Sequence, residues 1–115
     1  MQIIHPDVAD VDVDAVEPVT IGPGCTRRDM PAREGLRIWV VDIAAGAQWP
    51  WVDRHDAGGE FVYVVRGELV DGGRRYGPGH HLAYAPHSLH QPRSDTGVRL
   101  YGINRVAKEA ADVHA

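Results

Sequence analysis

Apolar and polar residues along this chain alternate in short runs, and Gly or Pro interrupts each run before it reaches helical length. Leu36 to Ile43 (LRIWVVDI) is rich in β-branched residues and predicts a strand, closed by Gly46 and Pro50. Glu60 to Val65 (EFVYVV) predicts the clearest strand of the chain, continuing through Arg66-Gly67-Glu68 into Leu69-Val70. Asp71-Gly72-Gly73 reads as a hairpin turn into a short strand, Arg74 to Tyr76. After the turn Gly77-Pro78-Gly79, His80 to Ala85 predicts another strand, stopped by Pro86. One more begins around His90 and breaks at Gly97, and Val98 to Ile103 is the last. Pro18 to Glu34, with Gly22-Pro23-Gly24 and Met30-Pro31, predicts loop with one short strand. Val11 to Asp14 alternates with period two and suits an extended edge segment. The Ala-rich tail from Val106 to Ala115 reads as one short helix or a frayed end. Eight or more short strands, no helical periodicity and no long repeat predict an all-β sandwich or barrel.

Composition narrows this little and excludes several functions. The 115 residues make one domain, large enough to bury a core without disulfides. A net charge of −4 argues against a groove that binds nucleic acid through its phosphates. No apolar run approaches a membrane span. The residues after Met1 lack the basic and apolar regions of a signal peptide, so a cytoplasmic location is expected. The single cysteine, Cys25, forbids an internal disulfide and a thiolate zinc cage. Asp7 to Glu17 carries five acids and no base, while the remainder balances at +1. That segment is a strand edge blunted by charge, a solvated tail or an acidic contact surface.

Candidate chemistry concentrates in two stretches, Asp53 to Glu68 and Tyr76 to His90. Asp53 and His55 are two apart, so an extended chain aims both at one side. Gly58-Gly59 permits a tight turn, after which Glu60 swings back over the same face. His90 arrives on a later strand. Two imidazoles and a carboxylate from neighbouring strands form a facial ligand set with positions left open, and Asp53 lies where a fourth ligand would stand. No Gly-rich phosphate loop, Gly-x-Ser-x-Gly elbow or His-Glu-x-x-His helix is present.

These stretches resemble the cupins, double-stranded β-helix (jelly-roll) barrels. Their first motif runs Gly, five residues, His-x-His, three or four residues, Glu, six residues, Gly. Here His55 matches the second His, Glu60 follows after four residues and Gly67 after six more. Gly46 lies one residue too far upstream, and Asp53 replaces the first His. The second motif, Pro-x-Gly-x-x-His, is shortened to Pro86-His87-Ser88-Leu89-His90. That form, with the Val-Asp-Val-Asp opening, the Gly-Gly-Glu triplet and the Pro86 to Ser94 run, is similar to the subgroup of zinc-dependent anti-sigma cupin domains and diketone-cleaving dioxygenases. The resemblance spans roughly residues 11–104 of a single cupin domain (1–115).

It implies a divalent metal held by His55, Glu60 and His90, with Asp53 as ligand, tuning residue or catalytic base. Two carboxylates would favour Fe(II) or Mn(II), with Zn(II) and Ni(II) open. A small-molecule ligand, either dioxygenase- or isomerase-type turnover of a carbonyl or enol, or a non-catalytic sensing role, and a homodimer through edge strands follow as expectations. Trp51 shares the parity of Asp53 and His55 and is placed at the pocket wall, or else in the core or a dimer interface. Tyr63 and Tyr101 are further candidates for the barrel lining and substrate contact. An inward Arg37 or Arg99 would anchor a substrate carboxylate. His80 and His81 are expected in solvent, and His87 is an alternative imidazole. His5 and His114 lie near the termini, and Cys25, in a loop beside Arg27 and Arg28, is a plain small residue or a thiol of lowered pKa.

Overall fold

The computed structural model describes residues 6–106. His5, His114 and the expected helix of the tail beyond Val106 therefore lie outside the described residues. Among the described residues ten strands follow one 3-10 turn, Val13–Ala15. They are β1 (Val19–Gly22), β2 (Cys25–Met30), β3 (Leu36–Ile43), β4 (Asp53–Arg54) and β5 (Glu60–Gly67), then β6 (Leu69–Asp71), β7 (Arg74–Tyr76), β8 (His81–Tyr84), β9 (Leu89–His90) and β10 (Val98–Arg105). An antiparallel six-stranded sheet runs β1-β2-β3-β10-β5-β8. Two short ladders, β4-β9 and β6-β7, complete the all-β jelly roll. Arg93 bridges the chain at Gln48 and Val70 beside them.

The core lies where alternate residues of the large sheet meet the short ladders. Trp39, Val41 and Ile43 of β3, Val62 and Val64 of β5, and Val98 and Leu100 of β10 form it with Cys25 and Leu69. Fully burying one such aliphatic side chain contributes about 1.5–3 kcal/mol. Strand parity then places Arg27, Arg37, Glu60 and Asn104 on this same inward face.

Parity also corrects an expectation. Tyr63 and Tyr101 do not line the barrel; they are 46% and 37% exposed on the outer face of the large sheet, near Phe61. Each is one residue out of phase with the core positions of its strand.

Three further expectations change. Pro18 to Glu34 contains two strands, not one, because β2 pairs along its whole length with β3 despite its charges. Cys25 is fully buried in β2, and burial raises its thiol pKa, opposite to the lowering considered from the nearby arginines. Arg28 is instead engaged by Asp42 at 2.7 Å. Finally, Val11 to Asp14 is not an edge strand. Asp12 accepts the Asp14 N–H at 3.1 Å and caps the 3-10 turn. The acidic segment then lies over the outer face: Arg28 donates to the Val16 carbonyl at 2.9 Å, and Arg99 meets Asp14 at 2.8 Å. Arg99 is buried against Asp42 through two hydrogen bonds of 2.8 and 2.9 Å, so it is a structural pair and not a substrate anchor.

Candidate metal centre

Asp53 and His55 enter the site from β4 and the residue after it. β4 pairs with β9 so that Asp53 stands opposite His90. The His55 N–H donates to the Ser88 carbonyl at 3.0 Å and the His87 N–H to the Asp56 carbonyl at 3.2 Å, which extends this short pairing. The chain then reverses through an Asp56 side-chain turn, with the Gly58 N–H 2.9 Å from the Asp56 carboxylate. Gly59 follows at φ 68°, and a Cβ there would lie 2.5 Å from the Tyr84 carbonyl, so glycine is required to bring Glu60 against β8. Asn104, inward on β10, donates to Glu60 Oε1 at 3.1 Å and accepts the Trp39 indole N–H at 2.6 Å.

The four side chains expected to gather do so. Asp53, His55, Glu60 and His90 each offer a ligand atom within 4.8 Å of the others, the one such group among the described residues. His55 Nε2 lies 2.9 Å from Glu60 Oε2 and 3.4 Å from Asp53 Oδ2. His90 Nε2 lies 3.3 Å from Asp53 Oδ2 and 3.9 Å from Glu60 Oε2. Ligands about 2.1 Å from a single ion are separated by distances of this order.

Both rings are turned the way a metal requires. Ser88 donates its hydroxyl to the Ala85 carbonyl at 2.7 Å, so its oxygen accepts from His55 Nδ1 at 2.8 Å. His90 Nδ1 donates to Asp71 at 2.7 Å. Each Nε2 is thereby directed at the cluster. His55 Nε2 is buried without a hydrogen-bond partner beside the Glu60 oxygen. An electron pair facing a carboxylate needs a proton or a cation between them, and the donor set suits a divalent ion.

Sequence reasoning missed Asp71, Tyr84, Ser88 and Asn104. Asp71 reads in the sequence only as a turn residue, yet it accepts from both His90 and the Tyr84 hydroxyl. Burial works against its ionisation, but those hydrogen bonds prevail and its pKa is lowered. Burial together with the Asp71 bond raises the Tyr84 pKa. His87 does not join the cluster; it is an exposed loop residue at φ 64°. His80 and His81 are exposed as expected.

Electrostatically the site divides. The hydrogen bond from His90 lowers the Asp53 pKa against its burial. Burial raises that of Glu60, although Asn104 opposes it. Burial also opposes a charge on His90, but Asp53 and Asp71 outweigh it and its pKa rises to about 9. For the metal-free protein this contribution to stability is complete below pH 6.5, the ordinary value, and disappears as pH rises through about 9. A metal must displace the same proton, so its affinity increases across that window. Urea midpoints of metal-free protein and chelator-competition titrations, both from about pH 6 to about pH 10, check the two opposite trends.

Asp71 fixes which nitrogen of His90 faces the cluster. An Asp71→Asn variant is expected to bind metal roughly 10–100-fold more weakly while all four ligands remain. Chelator competition measures this, and Tyr84→Phe, which spares the His90 bond, should have the smaller effect.

A cavity of about 340 Å³ opens onto the cluster. Trp39, Trp49, Trp51, Val41 and Leu100 contribute to its wall, with Arg27 and Arg37 also lining it. Trp51 is half exposed and meets Trp49 edge-to-face at 5.6 Å. It is therefore outside the core and lines the cavity.

No protein-family profile matches the chain, and no curated protein matches it in sequence. Solved structures do match in three dimensions. An RmlC-like cupin from Shewanella frigidimarina superposes with a TM-score of 0.74 at 24% identity, covering 88% of this chain and 93% of that one. The chain has the cupin fold. A predicted oxalate decarboxylase from Thermotoga maritima matches at TM-score 0.70 and 14% identity, over 86% of this chain and 100% of that one. A chain from the complex of Rhodobacter sphaeroides SigE with the anti-sigma ChrR matches at 0.73 and 20% identity, over 81% of this chain and 50% of that one. Asp53, His55, Glu60 and His90 thus form a candidate metal site lining the cavity of this fold. Among the described residues no helix is long and apolar enough to cross a membrane.

Proposed function

We propose that this cupin is a metal-dependent enzyme, of dioxygenase or isomerase type, acting on a small organic carbonyl or enol compound. The observation that carries the reading is the convergence of two Nε2 atoms and two carboxylates, with both Nδ1 atoms tied back, beneath an open cavity. His55, Glu60 and His90 would hold Fe, Mn, Zn or Ni, with Asp53 as the fourth contact. When bound, such an ion polarises a carbonyl or enol oxygen as a Lewis acid.

The chain's own residues supply the rest. Asp53 is the most exposed member, at 33% against 2%, 8% and 11% for His55, Glu60 and His90. As the most exposed carboxylate of the cluster it is the one placed to accept a proton from the substrate. Asn104 holds Glu60 in place, and Trp51 offers an aromatic surface to the substrate body.

Protein purified without an affinity tag should contain near-stoichiometric metal by elemental analysis. Oxygen uptake with a panel of β-diketones and flavonols tests the dioxygenase branch, and solvent deuterium incorporation into the same compounds tests the isomerase branch. Stoichiometric metal with neither activity supports the second reading, a sensing module, which the likeness to the SigE–ChrR complex favours. Absence of metal in protein grown with ample Fe, Mn, Zn and Ni defeats the enzyme reading.

A further inference from the structure

Register sets the outward residues of the large sheet side by side in rows. Met30, Ile38, Ile103, Phe61 and Ala83 form one row across β2, β3, β10, β5 and β8, and none of them is polar. The next row runs Arg28, Val40, Tyr101, Tyr63 and His81. Its two halves differ. On β2 and β3 it meets the N-terminal segment, where Arg28 bonds the Val16 carbonyl and Val40 is only 1% exposed. On β10, β5 and β8 the face is bare: Phe61, Tyr63, Val65 and Tyr101 are all large apolar residues in solvent. Phe61 stacks on His81 with ring centroids 5.9 Å apart, and both rings are exposed. The row beyond, Asp42, Arg99 and Arg66, is charged and closes the patch.

The outer side of an antiparallel sheet is ordinarily polar where water is its only neighbour. Here three aromatic rings and their aliphatic neighbours present roughly 400 Å² of apolar surface, the size at which a contiguous patch marks an interface. A stable dimer needs about 800 Å² from each partner, with an apolar centre inside a polar rim. The patch supplies such a centre, and Arg66 with the Asp42–Arg99 pair supplies part of the rim. Charge selects the partner. In a two-fold contact the patch meets its own copy, so ionised groups at its centre would face their like. On β10, β5 and β8 these two rows contain no Asp, Glu, Lys or Arg, and β8, at the sheet edge, has none at all. An anionic lipid surface would instead be repelled by a chain of charge −4 with five acids between Asp7 and Glu17. We propose that two copies of this chain pack face to face through β10, β5 and β8, with Phe61, Tyr63 and Tyr101 at the centre of the contact. Joining edge strands would leave this face bare. The contact requires neither metal nor substrate.

Sedimentation equilibrium of the full chain should show a particle of twice the 12.6 kDa chain mass, with a dissociation constant of micromolar order or tighter. Phe61→Lys and Tyr63→Lys each place a cation at the centre and should raise that constant at least about thirty-fold. Val19→Lys is the comparison: Val19 is as exposed as Phe61, at 49%, but stands on β1 at the opposite sheet edge. It should leave the constant within about two-fold. Circular dichroism verifies that the variants fold. On the unaltered protein, nitration of Tyr63 and Tyr101 should slow several-fold as the concentration passes the dissociation constant. That measurement decides even if a lysine variant fails to fold. Monomer at every concentration, which leaves the face to an unlike protein, overturns the proposal. So does a dimer that both Phe61→Lys and Tyr63→Lys retain, or one in which Tyr63 and Tyr101 react at the monomer rate. A dimer lost in Val19→Lys alone assigns the contact to the sheet edge and overturns it equally.

Discussion

A His90→Ala variant is expected to lose more than about two orders of magnitude in divalent-metal affinity, beyond the 10–100-fold typical when only a supporting residue is removed. His90 supplies one of two imidazole contacts, and its ring is held from behind by Asp71 at 2.7 Å. Its removal leaves Asp53 and Glu60 facing each other with one imidazole between them. The buried Asp71 carboxylate also loses the His90 bond that keeps its pKa low. Elemental analysis after dialysis, with circular dichroism to verify folding, reads the outcome. The comparison variant is His87→Ala, three residues away in sequence, exposed and outside the cluster, which should retain full metal content. Equal metal in the two variants defeats the proposed centre.

Gly67→Ala should destabilise the fold by roughly 3 kcal/mol or more, enough to leave much of the protein insoluble. Gly67 ends β5, where the chain leaves the large sheet for β6. Its φ is 78°, a left-handed conformation costing an L-residue about 1–2 kcal/mol by itself. An added Cβ would also fall 2.0 Å from the Gly97 carbonyl oxygen. That neighbour is backbone, and it accepts the Glu68 N–H at 3.1 Å, so it cannot move without breaking the corner. Gly79, at φ 90° with nothing within 4 Å of a built Cβ, isolates the conformational part. Gly79→Ala should cost only about 1–2 kcal/mol. Urea denaturation of both variants separates strain from collision.

Much of this was legible in the sequence because apolar patterning and turn chemistry agree there. Leu36–Ile43 is a strand with the predicted bounds, since its β-branched residues and the following Gly46 point the same way. His55, Glu60 and His90 were recognisable from their spacing around Gly67 and Pro86, and they meet in space. Asp53 gathers with them even though it departs from the usual His. What failed was the choice of face. Alternation divides a strand into two sets without naming the inner one. The signal was nevertheless present: a Glu60 aimed into the barrel takes Val62 and Val64 with it and puts Tyr63 outside. The same argument from Val98 and Leu100 puts Tyr101 outside. Asp71 and Asn104 carried no local motif, because their roles depend on partners 13 to 65 residues away. The 3-10 turn was hidden by a period-two pattern that Asp12 overrides through one local hydrogen bond.

The ladder joining β4 to β9 is two residues long on each side, too short to resist opening by itself. Yet it delivers Asp53 from one rail and His90 from the other. An ion held by both would therefore work as a rivet, and occupancy and local closure would become a single equilibrium. Amide exchange at His55, whose N–H depends on that closure, should then slow in proportion to free metal, while the core of β3 keeps its own rate.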